Sequence, residues 1–157
     1  MIFTFLSELS SIIYLIKNKS TKTLYASQTN YVEVQSQNQE YISREIQILS
    51  LFHHQTISHW YGYSCIDFNG QKNVTFLMDF INGHSLLDYI KSSNETKIKK
   101  NFDNTTKQKI LVGISLGMAL LHHAQIIHRD LKPKNIILDD KMEPKITNFG
   151  FYKIFLS

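Results

Sequence analysis

The chain has 157 residues, 43% of them hydrophobic, which is enough for one core of ordinary size in one globular domain. Its single cysteine, Cys65, excludes an internal disulfide framework and fits a reducing, cytoplasmic setting. Seventeen basic and thirteen acidic residues leave a net charge of +4, and the only lysine cluster, Lys97, Lys99 and Lys100, has no interleaved aromatics, which argues against a nucleic-acid surface.

Residues 1–16 are apolar, but they lack a basic leading region and carry Glu8, so they read as a buried strand pair and not as a signal peptide. Phe3 to Ile16 and Leu24 to Gln28 predict antiparallel strands around a polar turn at Lys17 to Lys22. From Tyr41 to Phe52, the residues Ile42, Ile46, Leu49 and Phe52 share one helical face, with Glu45 beside it. Ile57 to Phe68 and Asn73 to Phe80 predict two further strands flanking the hairpin signal Asn69-Gly70. Asn82-Gly83 then breaks the chain, and Ser85 is placed to cap a short helix ending at Lys91.

Lys91 to Asn104 is polar and reads as a loop. Thr105 to Ala124 predicts the longest helix, with Ile110, Ile114, Met118 and Leu121 at helical spacing. Its apolar stretch, Ile110 to Leu121, contains Ser115 and is too short to span a bilayer. Gly113 and Gly117 form a small-xxx-small pair suited to close helix packing. Ile136 to Leu138 and Lys145 to Thr147 predict a hairpin around Asp139-Asp140. Strands first and helices later is an α+β order.

The chemistry concentrates in His128-Arg129-Asp130-Leu131-Lys132-Pro133-Lys134-Asn135, with the apolar run Ile136-Ile137-Leu138 directly behind it. Asp130 can orient an attacking hydroxyl and accept its proton, Lys132 can neutralise a transferring phosphoryl group, and Asn135 offers a hard oxygen to Mg²⁺. Thirteen residues after Asn135 comes Asn148-Phe149-Gly150. The histidines, among them His53-His54, His59, His84 and His122-His123, show no metal-ligand spacing.

This stretch resembles the catalytic loop of the protein kinase family, His-Arg-Asp-x-x-x-x-Asn, and Lys132 two residues after the Asp marks the serine/threonine type, here with a tyrosine-kinase-like flavour. The resemblance implies an α+β, protein-kinase-like fold. A small β-rich lobe with one helix and the hinge would span 1–81, and the start of a helical large lobe 82–157. It also implies ATP and Mg²⁺ as cofactors. In that frame Ile13, Ala26 and Ile137 match apolar positions around adenine, Met78 the gatekeeper, and Asp79-Phe80-Ile81 the hinge. Leu49, Trp60, His128 and Phe149 match a spine of stacked apolar positions. Taken alone, any one of these positions is more simply read as ordinary core packing.

Three parts of the family pattern are replaced. Gln28, in Tyr25-Ala26-Ser27-Gln28, stands where the family has the lysine that grips the α- and β-phosphates and pairs with a helix glutamate, here Glu45. A competing register puts Gln35 there instead, again without a lysine. Leu6, Glu8 and Ser11 stand where phosphate-covering glycines are expected, and Asn148 where an Asp chelates Mg²⁺ together with Asn135.

The resemblance therefore implies a pseudokinase that binds or regulates a protein partner, with ATP binding weakened. The alternatives are a weakly active Ser/Thr kinase and a non-functional fragment. The chain stops seven residues after Gly150, before the family's activation segment. That implies a truncated domain, whose long helix would expose an apolar face unless another polypeptide completes it. Neither a nucleic acid nor a membrane is implied as a partner.

Overall fold

In the computed structural model, alternating apolar and polar residues build a five-stranded antiparallel sheet in the order β1-β2-β3-β5-β4. The strands are β1 (Leu6–Glu8), β2 (Ser11–Lys17), β3 (Leu24–Glu33), β4 (Trp60–Ser64) and β5 (Asn73–Asp79). The structure describes residues 6–8, 11–33, 50, 52–91, 102–148 and 153–154. It divides into two compact units, residues 1–53 with 59–80 and residues 54–58 with 81–157.

In the first unit β1 and β2 form a tight hairpin, Glu8 opposite Ser11 and Leu6 opposite Ile13. β3 lies between β2 and β5, so Ala26 faces Leu15 on one side and Met78 on the other. Period-two alternation puts Ala26 and Gln28 on one face and Ser27 and Thr29 on the other. Thr29 and Thr75, directly opposite across β3 and β5, satisfy each other's buried hydroxyls at 2.9 Å.

The strands depart from the sequence reading in two places. β3 continues five residues past Gln28, with an irregular register between Asn30 and Glu33. The strand expected over Ile57 to Phe68 is confined to Trp60–Ser64. At the far end the cause is Asp67, whose carboxylate accepts from Asn69 N, Gln71 N and Asn73 Nδ2, at 2.8, 2.9 and 2.7 Å, and so builds a wide turn in place of a two-residue one; at the near end Ile57 and Ser58 pair with Ile146 instead. The Asn73 bond, ahead of the backbone ones, lowers the Asp67 pKa. Residues 1–5 and most of the helix expected over 41–52 lie outside the described residues; Ser50 is helical, whereas Phe52 is not.

In the second unit Ser85 caps α1 (Leu86–Lys91) reciprocally: its Oγ accepts from Asp88 N at 3.2 Å and its own N–H donates to Asp88 Oδ2 at 3.1 Å. Helix α2 (Asn104–His123) starts at Asp103, whose Oδ1 accepts from Thr106 N at 2.7 Å. That cap falls inside the segment read from sequence as loop. The remaining strands are β6 (His84–Ser85), β7 (Ile126–Ile127), β8 (Ile136–Leu138), β9 (Pro144–Ile146) and β10 (Lys153–Ile154). They form the sheets β6-β8-β9 and β10-β7. No described helix is long and apolar enough to cross a membrane.

The buried stripe of α2 is Ile110, Gly113, Gly117 and Leu121, while Ile114 and Met118 are only half-buried. The stripe runs through the glycines because the helix backbone there comes directly against the side chains of Pro144, Ile146 and Thr56. A Cβ at Gly113 would lie 2.4 Å from Pro144 Cγ, and one at Gly117 would lie 2.7 Å from Ile146 Cδ1 and 2.8 Å from Thr56 Oγ1. Residues 54–58 complete this layer: Ser58 N donates to Ile146 O at 2.9 Å and Ile146 N to Thr56 O at 2.8 Å. Ile57, Ile110, Leu121, Ile126, Ile136, Leu138 and Ile146 form the core, each contributing about 1.5–3 kcal/mol. Gly113→Ala and Gly117→Ala are expected to lower the unfolding free energy by about 1–3 kcal/mol in denaturant titrations, because overpacking outweighs the helix-propensity gain. Unchanged stability would contradict so close an approach.

Candidate functional site

The loop after β7 is organised by two buried side chains, His128 at 1% exposure and Asn135 at 2%. The His128 ring bridges two segments: its Nε2 lies 3.0 Å from Thr147 O, and its Nδ1 lies 3.3 Å from Asp130 N. A carbonyl only accepts and an amide N–H only donates, so the ring is neutral with its proton on Nε2. Burial pushes its pKa down, against the opposing pull of the Thr147 carbonyl and the Asp130 charge. Between them Arg129 sits at φ 63°, a left-handed conformation that costs a non-glycine residue about 1–2 kcal/mol and is held by these flanking bonds.

Pro133–Asn135 then forms one 3-10 turn with proline at its first position, where no backbone donor is needed. That turn brings Asn135 back onto Asp130, its Nδ2 donating to Asp130 O at 2.7 Å and to Asp130 Oδ2 at 2.8 Å. Lys132 Nζ lies 2.8 Å from the same Oδ2. The Lys132 ammonium, with Asn135 adding to it, holds the Asp130 carboxyl below the ordinary carboxylate range. The pair is partly exposed, so it contributes little to stability and mainly orients the carboxylate.

Thr147 and Asn148 follow β9. Thr147 N and Oγ1 donate to Asn135 O at 2.9 and 3.2 Å, and Asn148 Nδ2 donates to Asn135 Oδ1 at 3.2 Å. Asn148 lies at φ 52°, a region Asn tolerates better than most residues. The structure thus brings together Asp130, Lys132, Asn135 and Asn148. Ile137 is half-buried in β8, opposite Ser85 and Lys145, and Ile81 is half-buried ahead of β6.

The other candidates lie in the first unit. Gln28 is 7% exposed in mid-β3, between Ile13 on β2 and Phe76 on β5. Met78 is buried next to Ala26, opposite Trp60 on β4. Asp79 is fixed at the end of β5, its carboxylate accepting from His59 N at 3.0 Å and from the Tyr61 hydroxyl at 2.9 Å. Glu45, Gln35, Leu49 and Phe149 lie outside the described residues. Sequence reasoning missed Thr147, which works through its backbone and a short hydroxyl contact and so leaves no residue-type signal.

Residues 9–157 match the family model for the protein kinase domain. The chain belongs to the protein kinase family. Its relatives include the cAMP-dependent protein kinase catalytic subunit of Dictyostelium discoideum, 32% identical over 90% of this chain and 20% of that protein. Aurora kinase of Schizosaccharomyces pombe is 29% identical over 88% and 37% of the respective chains. A probable LRR receptor-like serine/threonine-protein kinase of Arabidopsis thaliana is 33% identical over 74% and 12%. The chain thus spans well under half the length of these relatives. Its α+β architecture is the protein-kinase-like fold, with a β-rich small lobe followed by helical elements of a large lobe.

Protein kinases use ATP with Mg²⁺. The residues of this kinase-family loop do not fit the metal. Asn135 and Asn148 meet amide to amide, and among the described residues no group of three His, Cys, Asp or Glu side chains could hold an ion. Asp130, the nearby carboxylate, is already engaged by Lys132 and Asn135.

The lowered His128 pKa has a definite sign in stability. Between its folded value and the unfolded value near 6.5 the unfolded chain binds a proton that the native ring does not, so stability rises with pH across that window and falls on acidification below about pH 6.5. Replacing His128→Gln should flatten the pH slope of the unfolding free energy there, by up to about 1.4 kcal/mol per pH unit. Equal slopes for the two proteins would remove His128 as the cause.

Proposed function

We propose that this chain is a serine/threonine-type kinase-family module with impaired phosphotransfer, a pseudokinase that binds or regulates a protein partner in a reducing, cytoplasmic compartment. The observation that carries the reading is neutrality at the two positions where the family places charge for the nucleotide. Gln28 is a buried amide in mid-β3, and Asn148 presents an amide to Asn135. A neutral amide neither compensates phosphate charge nor binds a hard dication strongly.

A second reading, residual phosphotransfer, is favoured by Asp130. Its carboxylate is oriented by Lys132 and Asn135 and kept ionised, ready to accept a hydroxyl proton. A polypeptide partner is supported by α2, which exposes Leu111 at 65%, Val112 at 59% and Leu116 at 49%. Cys65 is free, in keeping with the proposed compartment.

Thermal unfolding with ATP, with and without Mg²⁺, tests the proposal. The wild-type melting temperature should not respond, since a ligand at a hundred times its Kd would add about 2.7 kcal/mol of stability and would be seen. The double variant Gln28→Lys/Asn148→Asp should gain nucleotide affinity about tenfold or more, one charge-assisted interaction being sufficient for that. A Mg²⁺-dependent rise for the wild type with ATP, or phosphate transfer to a protein substrate, would overturn impairment in favour of the second reading.

A further inference from the structure

We infer that the loop of this chain is assembled without a divalent cation, the Asn148 amide joining the two segments that a bridging metal would otherwise hold. The inference rests on the kinase-family reading only in taking 135 and 148 as the metal positions.

The polarity of the amide pair follows from its surroundings. Asn135 Nδ2 faces the Asp130 carbonyl and the Asp130 carboxylate, at 2.7 and 2.8 Å, and both of these only accept. Asn135 Oδ1 must therefore point to Asn148, and Asn148 must answer with its N–H, 3.2 Å away. Turning Asn135 over would set its oxygen against two acceptors, so the network admits one arrangement. In that arrangement an N–H donor occupies the Asn135 oxygen, and its positive end repels a cation. The two segments are already joined by the His128–Thr147 bond, the two Thr147–Asn135 bonds and the Asn148–Asn135 bond.

The same logic predicts what a carboxylate would do. Asn148→Asp sets an acceptor against the locked Asn135 oxygen with no donor between them, an arrangement that needs a cation to be stable. Wild type and variant should therefore respond oppositely to metal.

Thermal unfolding of the full chain, without nucleotide, in EDTA and in excess Mg²⁺, reads this directly. The wild type should melt at the same temperature in both. Asn148→Asp should melt lower than wild type in EDTA, by about 2–6 °C, and recover in Mg²⁺. Asn148→Ala, which loses the bond without adding an acceptor, should melt lower with no recovery. Mn²⁺ binding followed by electron paramagnetic resonance gives a second readout, with binding expected for Asn148→Asp and none for wild type. Stabilisation or Mn²⁺ binding of the wild type would overturn the inference. So would an Asn148→Asp variant that is as stable as wild type in EDTA, or one that Mg²⁺ fails to restore. Phosphotransfer by the wild type would sink the impaired reading without deciding these nucleotide-free measurements, and a wild-type cation response would sink this inference while leaving Gln28 as it stands.

Discussion

The second unit depends on the side-chain and backbone bonds of Asn135. This one buried residue closes the 3-10 turn through its N–H to Lys132 O, holds Asp130 through its amide nitrogen, and receives Thr147 and Asn148 through its two oxygens. A buried polar residue costs free energy unless each of its groups is matched, and here the matching is what determines the conformation of the loop. Together with Lys132 it orients the Asp130 carboxylate, and together with His128 it sets the position of the chain after β9.

The two units handle buried polarity differently. In the β-sheet, Thr29 and Thr75 satisfy each other across neighbouring strands, so polarity there is absorbed by the pleat and supports packing. In the second unit the His128–Asn135 loop carries a network of buried polar side chains, and the hydrophobic core of Ile126, Ile136, Leu138 and Ile146 lies in the strands on either side. The neutral tautomer of His128 and the amide polarity of Asn135 follow from their hydrogen-bond partners, each of which can play only one role.

Much of this was legible in the residues, and what was not has a physical reason. Alternation revealed the strands around residues 13, 26 and 76, and the Ser85 cap and the close approach at Gly113 and Gly117 were visible from residue type. The buried face of α2 was misplaced toward Ile114 and Met118, because apolar periodicity weighs side chains and the contact is made by backbone. The turn after β4 was read from Asn69-Gly70, whereas Asp67 organises it by collecting three donors, a role that depends on a fold the local sequence does not declare. Asn135 and Asn148 were each legible as metal positions. Their direct bond was not, since it needs two segments thirteen residues apart to meet.

The glycine stripe of α2 has a mechanical meaning. With Gly113 against the Pro144 ring and Gly117 against the Ile146 and Thr56 side chains, the helix backbone rests directly on those side chains, with no room for a further methyl between them. Close-packed contacts of this kind have low compressibility and transmit strain. The strand that α2 touches runs directly into Thr147 and Asn148, so a shift of α2 is passed through these contacts toward the amide that closes the loop.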